Sequence, residues 1–490
     1  MNALFVLRYP ALILLGGVIL VVVLVSIPRL REKSTSEQSE VSNLSKPAAV
    51  PLVVDNSCSA RNCHGAIVPH SPGDLSQLES TVWTAADHHA EAWKSLSSDL
   101  AKSISLRLAP SGTTPIPADQ DARCLACHST PTTGTAGTSG GWDSRGVSCE
   151  ACHGRADHWR NEHYAWRGML EKEQSQDNDR RLREIYATHG MTWLGDELSR
   201  AKTCTECHVG APPSSRPEGL PVRDVNHDLI AAGHPRLQFD LNAYLKAMPP
   251  HWSEHDSGAN VHLRRWAGGQ WSAMRAWLDL LKYRAETGNK NDWPELAEYR
   301  CFSCHHDLKA NAWRQQNVTK TGPAPGSLKW GNYYSSTLAD AAAVLFPGES
   351  IAPLLERWKE LDSALVNPMA SPVEIGKNAD ALLDAMKNSE EGGNGQKATF
   401  DLPAFRERLS ERISHLMNDP TAVDWDVAAQ LLVECRALRD DGNLSPAQNE
   451  KLTRLSKLLS FPEGRLSPSD FDPRSSEFRS AVDPLLSTPK

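Results

Sequence analysis

Five cysteine pairs, each followed at once by a histidine, constrain this chain more than any other feature of its 490 residues. Four are Cys-x-x-Cys-His: Cys124 and Cys127 before His128, Cys149 and Cys152 before His153, Cys204 and Cys207 before His208, Cys301 and Cys304 before His305. The first, Cys58 and Cys63 before His64, places four residues between its cysteines. With 18 histidines in the chain, five such coincidences have odds of order one in ten million, and neither a zinc ribbon nor structural disulfides would explain them. Cys-x-x-Cys-His is the attachment signal for c-type haem: two thiols add to the porphyrin vinyl groups and the adjacent histidine becomes the proximal iron ligand. The expectation is haem c at all five sites, with the ten cysteines as attachment points and the five histidines as proximal ligands. In the first motif Ser59, Ala60, Arg61 and Asn62 make a looser loop, for which a disulfide or a metal loop is the alternative reading.

The motifs occupy residues 58–306, roughly 50 residues per haem, too little polypeptide for an aliphatic core around each, so the porphyrins are expected to form much of the core. Twelve of the 15 tryptophans lie between Trp83 and Trp313, as suits large flat side chains packing beside large flat cofactors. Segments 81–107, 156–170, 176–190, 226–248 and 262–287 read as helical or irregular, and the Gly-Gly of "WAGGQW" reads as a turn. After a Pro/Gly-bearing stretch the pattern changes to repeated amphipathic helices over 330–465. The fold class is therefore mainly α with much irregular structure. The expected domains are an anchor at 1–31, a linker at 32–50, a pentahaem domain at 51–317, a helical bundle at 330–465 and a frayed tail at 466–490. Within the bundle, Cys435 reads as a buried structural thiol and His415 as a surface or packing residue.

Residues 11–27 form an uncharged apolar run near the length that spans a bilayer, without the small-residue pattern of a cleavage site, and read as an uncleaved anchor. Charge alone weakly favours a cytoplasmic body, but haem c is attached outside the bacterial cytoplasm, which places the soluble part in the periplasm of a bacterial inner-membrane protein. Residues 32–50, rich in Ser and Glu, read as a tether. A net charge of −8 gives no sign of nucleic acid as a partner. The expected partners are a redox protein, the membrane and, during maturation, the haem attachment machinery.

Thirteen histidines remain as second axial ligands. His89 is preferred to His88 because it shares an apolar helical face with Trp93, Leu96 and Leu100. His227 and His234, seven residues apart, suit two neighbouring haems, with capping or core roles as the alternative. His163 is preferred to His158, and His306 could reach a neighbouring haem. His70, His189, His251, His255 and His262 read individually as bland, while Met191 and Met248 are possible ligands with packing as the default.

Taken together, "DHHAEAW", "RCLACHSTP", "GVSCEACHG", "NHDLIAAGHPRLQF" and "CFSCHHDL" resemble the cytochrome c-554-type multihaem family, over about residues 55–310. The resemblance implies closely packed haem pairs, mostly bis-histidine ligation and electron transfer, and on matching positions it supports His89, His163, His227 and His234 as distal ligands. The leading expectation is an electron carrier rather than an enzyme. The alternatives are an oxidoreductase acting on a small nitrogen or sulfur compound at an open iron, with Asp228, His158 or His251 as acid–base candidates, and a docking role for the helical C-terminal half.

Overall fold

The computed structural model describes residues 56–490, apart from 133–140, 173–177, 216–217, 253–257, 288–292, 306–328, 332, 368–370, 394–398, 420–422, 462–470, 484 and 486–490. The expected anchor and tether, His255 and His306 lie outside the described residues. Among those described, no helix is long and apolar enough to cross a membrane.

The chain is mostly helical with little sheet. Its first half runs through α1 (Glu79–Ala86), α2 (Ala92–Ser95), α3 (Asp99–Leu108), α4 (Ala122–His128), α5 (Cys149–His153), α6 (His163–Lys172), α7 (Asn178–His189) and α8 (Glu197–His208). Two short antiparallel pairs follow, β1 (Gly210–Ala211) with β4 (Arg223–Asp224) and β2 (Ser214–Ser215) with β3 (Glu218–Leu220). Then come α9 (His227–Ala232), α10 (Leu241–Ala247) and the long α11 (Val261–Thr287). The second half is α12 (Leu338–Leu345), α13 (Ala352–Val366), α14 (Pro372–Gly393), α15 (Leu402–Asn418), α16 (Trp425–Asp440), α17 (Pro446–Leu458) and α18 (Ser476–Val482).

Short polar side chains set many of the boundaries. The segment 81–107 is not one helix: Asp87 takes extended backbone after α1, and its carboxylate accepts from the backbone N–H of His89, starting a 3-10 turn at His88–Glu91. Ser98 restarts the chain by capping Ala101 N–H. These caps satisfy donors that a helix end leaves open. Leu100, expected on the apolar face, is accordingly exposed.

The "WAGGQW" stretch is not a turn but the buried centre of α11. Its glycines are there for close approach. A Cβ on Gly268 would lie 3.3 Å from the Glu197 backbone at the start of α8, and one on Gly269 would lie 3.0 Å from Leu241 Cβ on α10. Trp266 and Leu263 of this helix join the core of α15, α16, α17 and α18, whereas Trp271, Met274, Leu278 and Leu281 join that of α12, α13 and α14. The described residues from 56 onward thereby belong to one compact unit. The segment expected to be a frayed tail instead carries α18, which buries Phe478, Ala481, Val482 and the following Leu485. Cys435 is fully buried and its thiol is pushed upward in pKa by that burial.

Asp441, just past α16, caps the far end of α11: its carboxylate accepts from His262 N–H at 2.9 Å and Leu263 N–H at 2.8 Å. Asp441→Ala should cost about 1–2 kcal/mol, read as a lower midpoint of thermal unfolding, with Asp441→Asn retaining most of the stability.

Candidate functional site

The attachment motifs sit on short helical turns. Cys124–His128 ends α4, Cys149–His153 is α5, Cys204–His208 ends α8, and Cys301 opens a 3-10 turn at Cys301–Ser303. The wide first motif is folded back on itself by hydrogen bonds from Cys63 N–H and Gly65 N–H to the Ala60 carbonyl, at 2.9 and 3.0 Å, and from His64 N–H to Cys58 O at 3.2 Å. Gly65 permits this closure, since a Cβ there would lie 2.0 Å from the Ser59 carbonyl oxygen. The two additional residues are thus taken up in a compact loop.

Four of the five motif histidines face a second histidine. The ring centroids of His64 and His163 are 6.1 Å apart, those of His89 and His208 6.1 Å, those of His128 and His234 6.4 Å, and those of His227 and His305 6.4 Å. Two imidazoles bound to opposite faces of one iron, with nitrogen–metal bonds of about 2 Å, place their centroids about 6.3 Å apart. The observed pairs fit a metal between them and are too far apart for a direct hydrogen bond.

The hydrogen bonds of the other ring nitrogen fit as well. His64 Nδ1 lies 2.9 Å from Glu79 Oε2, and His89 Nδ1 lies 2.9 Å from Asp87 Oδ1. His128 Nδ1 lies 3.1 Å from the Ala92 carbonyl, His163 Nδ1 2.8 Å from that of Arg160, and His234 Nδ1 2.8 Å from that of Pro235. A carboxylate or carbonyl can only accept, so Nδ1 carries the proton and Nε2 keeps its lone pair for a metal. Burial pushes His208 down to about 4, with His89 and His128 adding to the effect, and it also lowers His128. For His208 and His128 both shifts favour the neutral imidazole that ligation requires. His89 is shifted upward instead by its bond to Asp87.

His153 differs. It is half-buried and pushed down to about 4, chiefly by desolvation and then by the nearby His251 and His64. No second histidine ring faces it among the described residues at the spacing of the other four pairs. His251, set aside on sequence grounds, has a buried Nδ1, lies beside the Pro249 backbone and stands edge-on to Trp252 at 5.1 Å. Arg200 lies over the other ring system of this corner, 5.2 Å from the Trp252 centroid. Nothing in "PPHW" marks that residue locally, because its neighbours come from remote segments.

The remaining candidates have other surroundings. His88 is exposed, His70 Nε2 bonds Gln77, His158 lies 3.7 Å from an Asp157 oxygen, His189 packs on Trp166 at 4.8 Å, and His262 Nδ1 faces Asn242 at 3.3 Å. Met191 packs with Trp159 and Trp166, and His415 is exposed.

The sites also adjoin one another. Arg145 interacts with both Cys149 and Cys58, and Cys152 is close to Cys204 and Cys207. Cys127 lies beside Cys207, and the interaction between the two thiols raises the former and lowers the latter. His227 and His234, at the two ends of α9, face His305 and His128 respectively.

Residues 57–154, about a fifth of the chain, match the family described as cytochrome c554 and c-prime. The match spans the first three motifs and His89. It supports a cytochrome c554-type family, and with it a c-type cytochrome of electron transfer that uses haem c. No curated protein and no solved structure matches the chain.

Proposed function

We propose that the chain carries single electrons through five covalently attached haems, held through the ten paired cysteines, with the porphyrins completing the core of its first half. Bound haem c supplies the Fe(III)/Fe(II) couple at each site. The observation that carries this reading is the set of four histidine pairs at 6.1–6.4 Å. The chain's own residues orient five of the eight imidazoles, those of His64, His89, His128, His163 and His234, through hydrogen bonds at Nδ1, so that Nε2 is the nitrogen left for the iron.

The contacts between motifs support a single file in the order Cys58, Cys149, Cys204, Cys124, Cys301, which is not the order along the sequence. In this reading residues 11–27 anchor the protein in a bacterial inner membrane, and a redox partner in the periplasm exchanges electrons at the two ends of the file, near His64 and near His305.

His251 is proposed as the second ligand at the His153 site. The fully reduced protein should then leave carbon monoxide unbound, and His251→Ala should take up one equivalent, read from the Soret band. The alternative, an oxidoreductase acting on a small nitrogen or sulfur compound, is favoured by one observation, that His153 alone lacks a paired ring. Stoichiometric carbon monoxide binding by the unaltered protein would select that alternative.

A further inference from the structure

A buried polar face runs down α16, in the half of the protein that no family match covers. Asp426, Gln430 and Glu434 follow one another at four-residue spacing, hence on one side of the helix, and all three are fully buried. Both amide atoms of Gln430 and Oε1 of Glu434 lack a hydrogen-bond partner. Such groups are costly unless water or a proton attends them.

This face begins at the last attachment motif. Asp424, the cap of α16, pairs with Arg300, the residue before Cys301. Arg236 Nη1 donates to Cys301 Sγ at 2.8 Å, and Asp426 interacts with Arg236, Tyr333 and Tyr334. Arg236, Tyr333, Tyr334 and Ser335 line a cavity of about 50 Å³, and the buried Ser335 Oγ has no partner. A space of that size holds a few waters.

At its other end, Glu434 shares one guanidinium with a second carboxylate. Arg412 of α15 donates to Glu434, and its Nε lies 3.1 Å from Asp340 Oδ2 on α12. Cys435, next to Glu434 on α16 and also buried, interacts with both Glu434 and Arg412. Arg406 acts on Cys435 from farther along α15. Asp340 and Glu434 thus share the single guanidinium of Arg412. A buried excess of one negative charge favours one bound proton.

We propose that Glu434 is a proton-loading site coupled to the haem held at Cys301, Cys304 and His305. This inference rests on the electron-transfer reading. When an external one-electron donor reduces the ferric iron there, the added negative charge raises the proton affinity of Glu434, and its carboxylate takes one proton from solvent along the water-bearing polar face. Oxidation returns the electron to an acceptor and the proton to solvent. Burial and the neighbouring Asp340 raise the carboxyl above the usual carboxylate range, against the lowering effect of Arg412.

The sign follows from linkage. Reduction binds a proton only between the lower affinity of the oxidised form and the higher affinity of the reduced form, so the midpoint potential of this haem falls as pH rises through that window and is flat outside it. The test is a spectroscopic potentiometric titration of the full chain from about pH 6 to about pH 10, paired with reduced-minus-oxidised infrared spectra. The unaltered protein should show one haem with a pH-dependent potential and a carboxylic C=O band that appears on reduction. Glu434→Gln, neutral at every pH, should abolish both and leave the other potentials unchanged. A pH dependence that survives in E434Q, or the absence of the infrared band from the unaltered protein, would overturn the inference while leaving electron transfer intact. If Glu434→Gln does not fold, the infrared band of the unaltered protein decides alone. Absence of any reversible haem couple would sink both readings.

Discussion

Replacing His89 by alanine should convert one haem from low-spin to high-spin and give the reduced protein one additional equivalent of carbon monoxide binding, whereas His88→Ala should leave the spectrum unchanged. The two residues are neighbours, but only His89 faces His208, at 6.1 Å. Asp87, almost completely buried, accepts from both the backbone N–H and the ring Nδ1 of His89, each at 2.9 Å, which holds the ring with Nε2 toward the gap. No other described histidine faces His208 at that spacing, so the vacated position would remain open to a small ligand. Asp87→Asn gives a graded version of the same experiment. It keeps the shape but removes the charge that makes the imidazole more electron-rich, so the haem should stay low-spin while its reduction potential rises.

Arg284→Met should be the most destabilising single change outside the attachment motifs, by about 3–5 kcal/mol in denaturant or thermal unfolding. Arg284, on α11, is buried between Asp224 of β4 and Glu298 of the turn Leu296–Glu298. Glu298 also accepts from Trp277 Nε1. Removing the guanidinium leaves two carboxylates facing each other out of water, a far larger loss than that of an exposed ion pair. The double change Arg284→Met with Glu298→Gln should recover part of the loss, because it removes one of the stranded charges. The effect should also reach the last haem site. The same turn carries Glu295, whose carboxylate accepts from His227 N–H and Ala297 N–H at 2.8 Å each, and His227 is the residue that faces His305. A variant as stable as the unaltered protein, with an unperturbed haem at Cys301, would refute this account.

Local chemistry is what the sequence determined. Covalent attachment and proximal ligation need residues close together along the chain, so five motifs name fifteen candidate residues without any knowledge of the fold. His89, His163, His227 and His234, whose rings face motif histidines, were also within reach as proposed second ligands, through their positions in "DHHAEAW", "EH" and "NHDLIAAGH". For His89 the helical-face argument was nevertheless incorrect, since Asp87 and Ser98 divide that segment into separate turns. The amphipathic second half was legible for the same reason, a hydrophobic period that repeats within single helices.

Whatever depends on contacts between distant segments was decided only in three dimensions. The Gly-Gly of "WAGGQW" is ambiguous alone, because a glycine pair serves a turn and a close helix crossing equally well; α8 and α10 pressing on α11 settle it. The last residues look too polar to pack until Phe478 and Val482 find a core made by α15, α16 and α17. The adjacency of sites comes from Arg145, Cys152, Cys127 and the segment of α9 meeting residues up to 106 positions away, the separation of His128 and His234, and the buried charge around Glu434 from helices α12, α15 and α16. A motif is a short-range statement, whereas ligand pairing, the order of the file and the proton affinity of a buried carboxylate are set by which surfaces pack together, and packing is long-range.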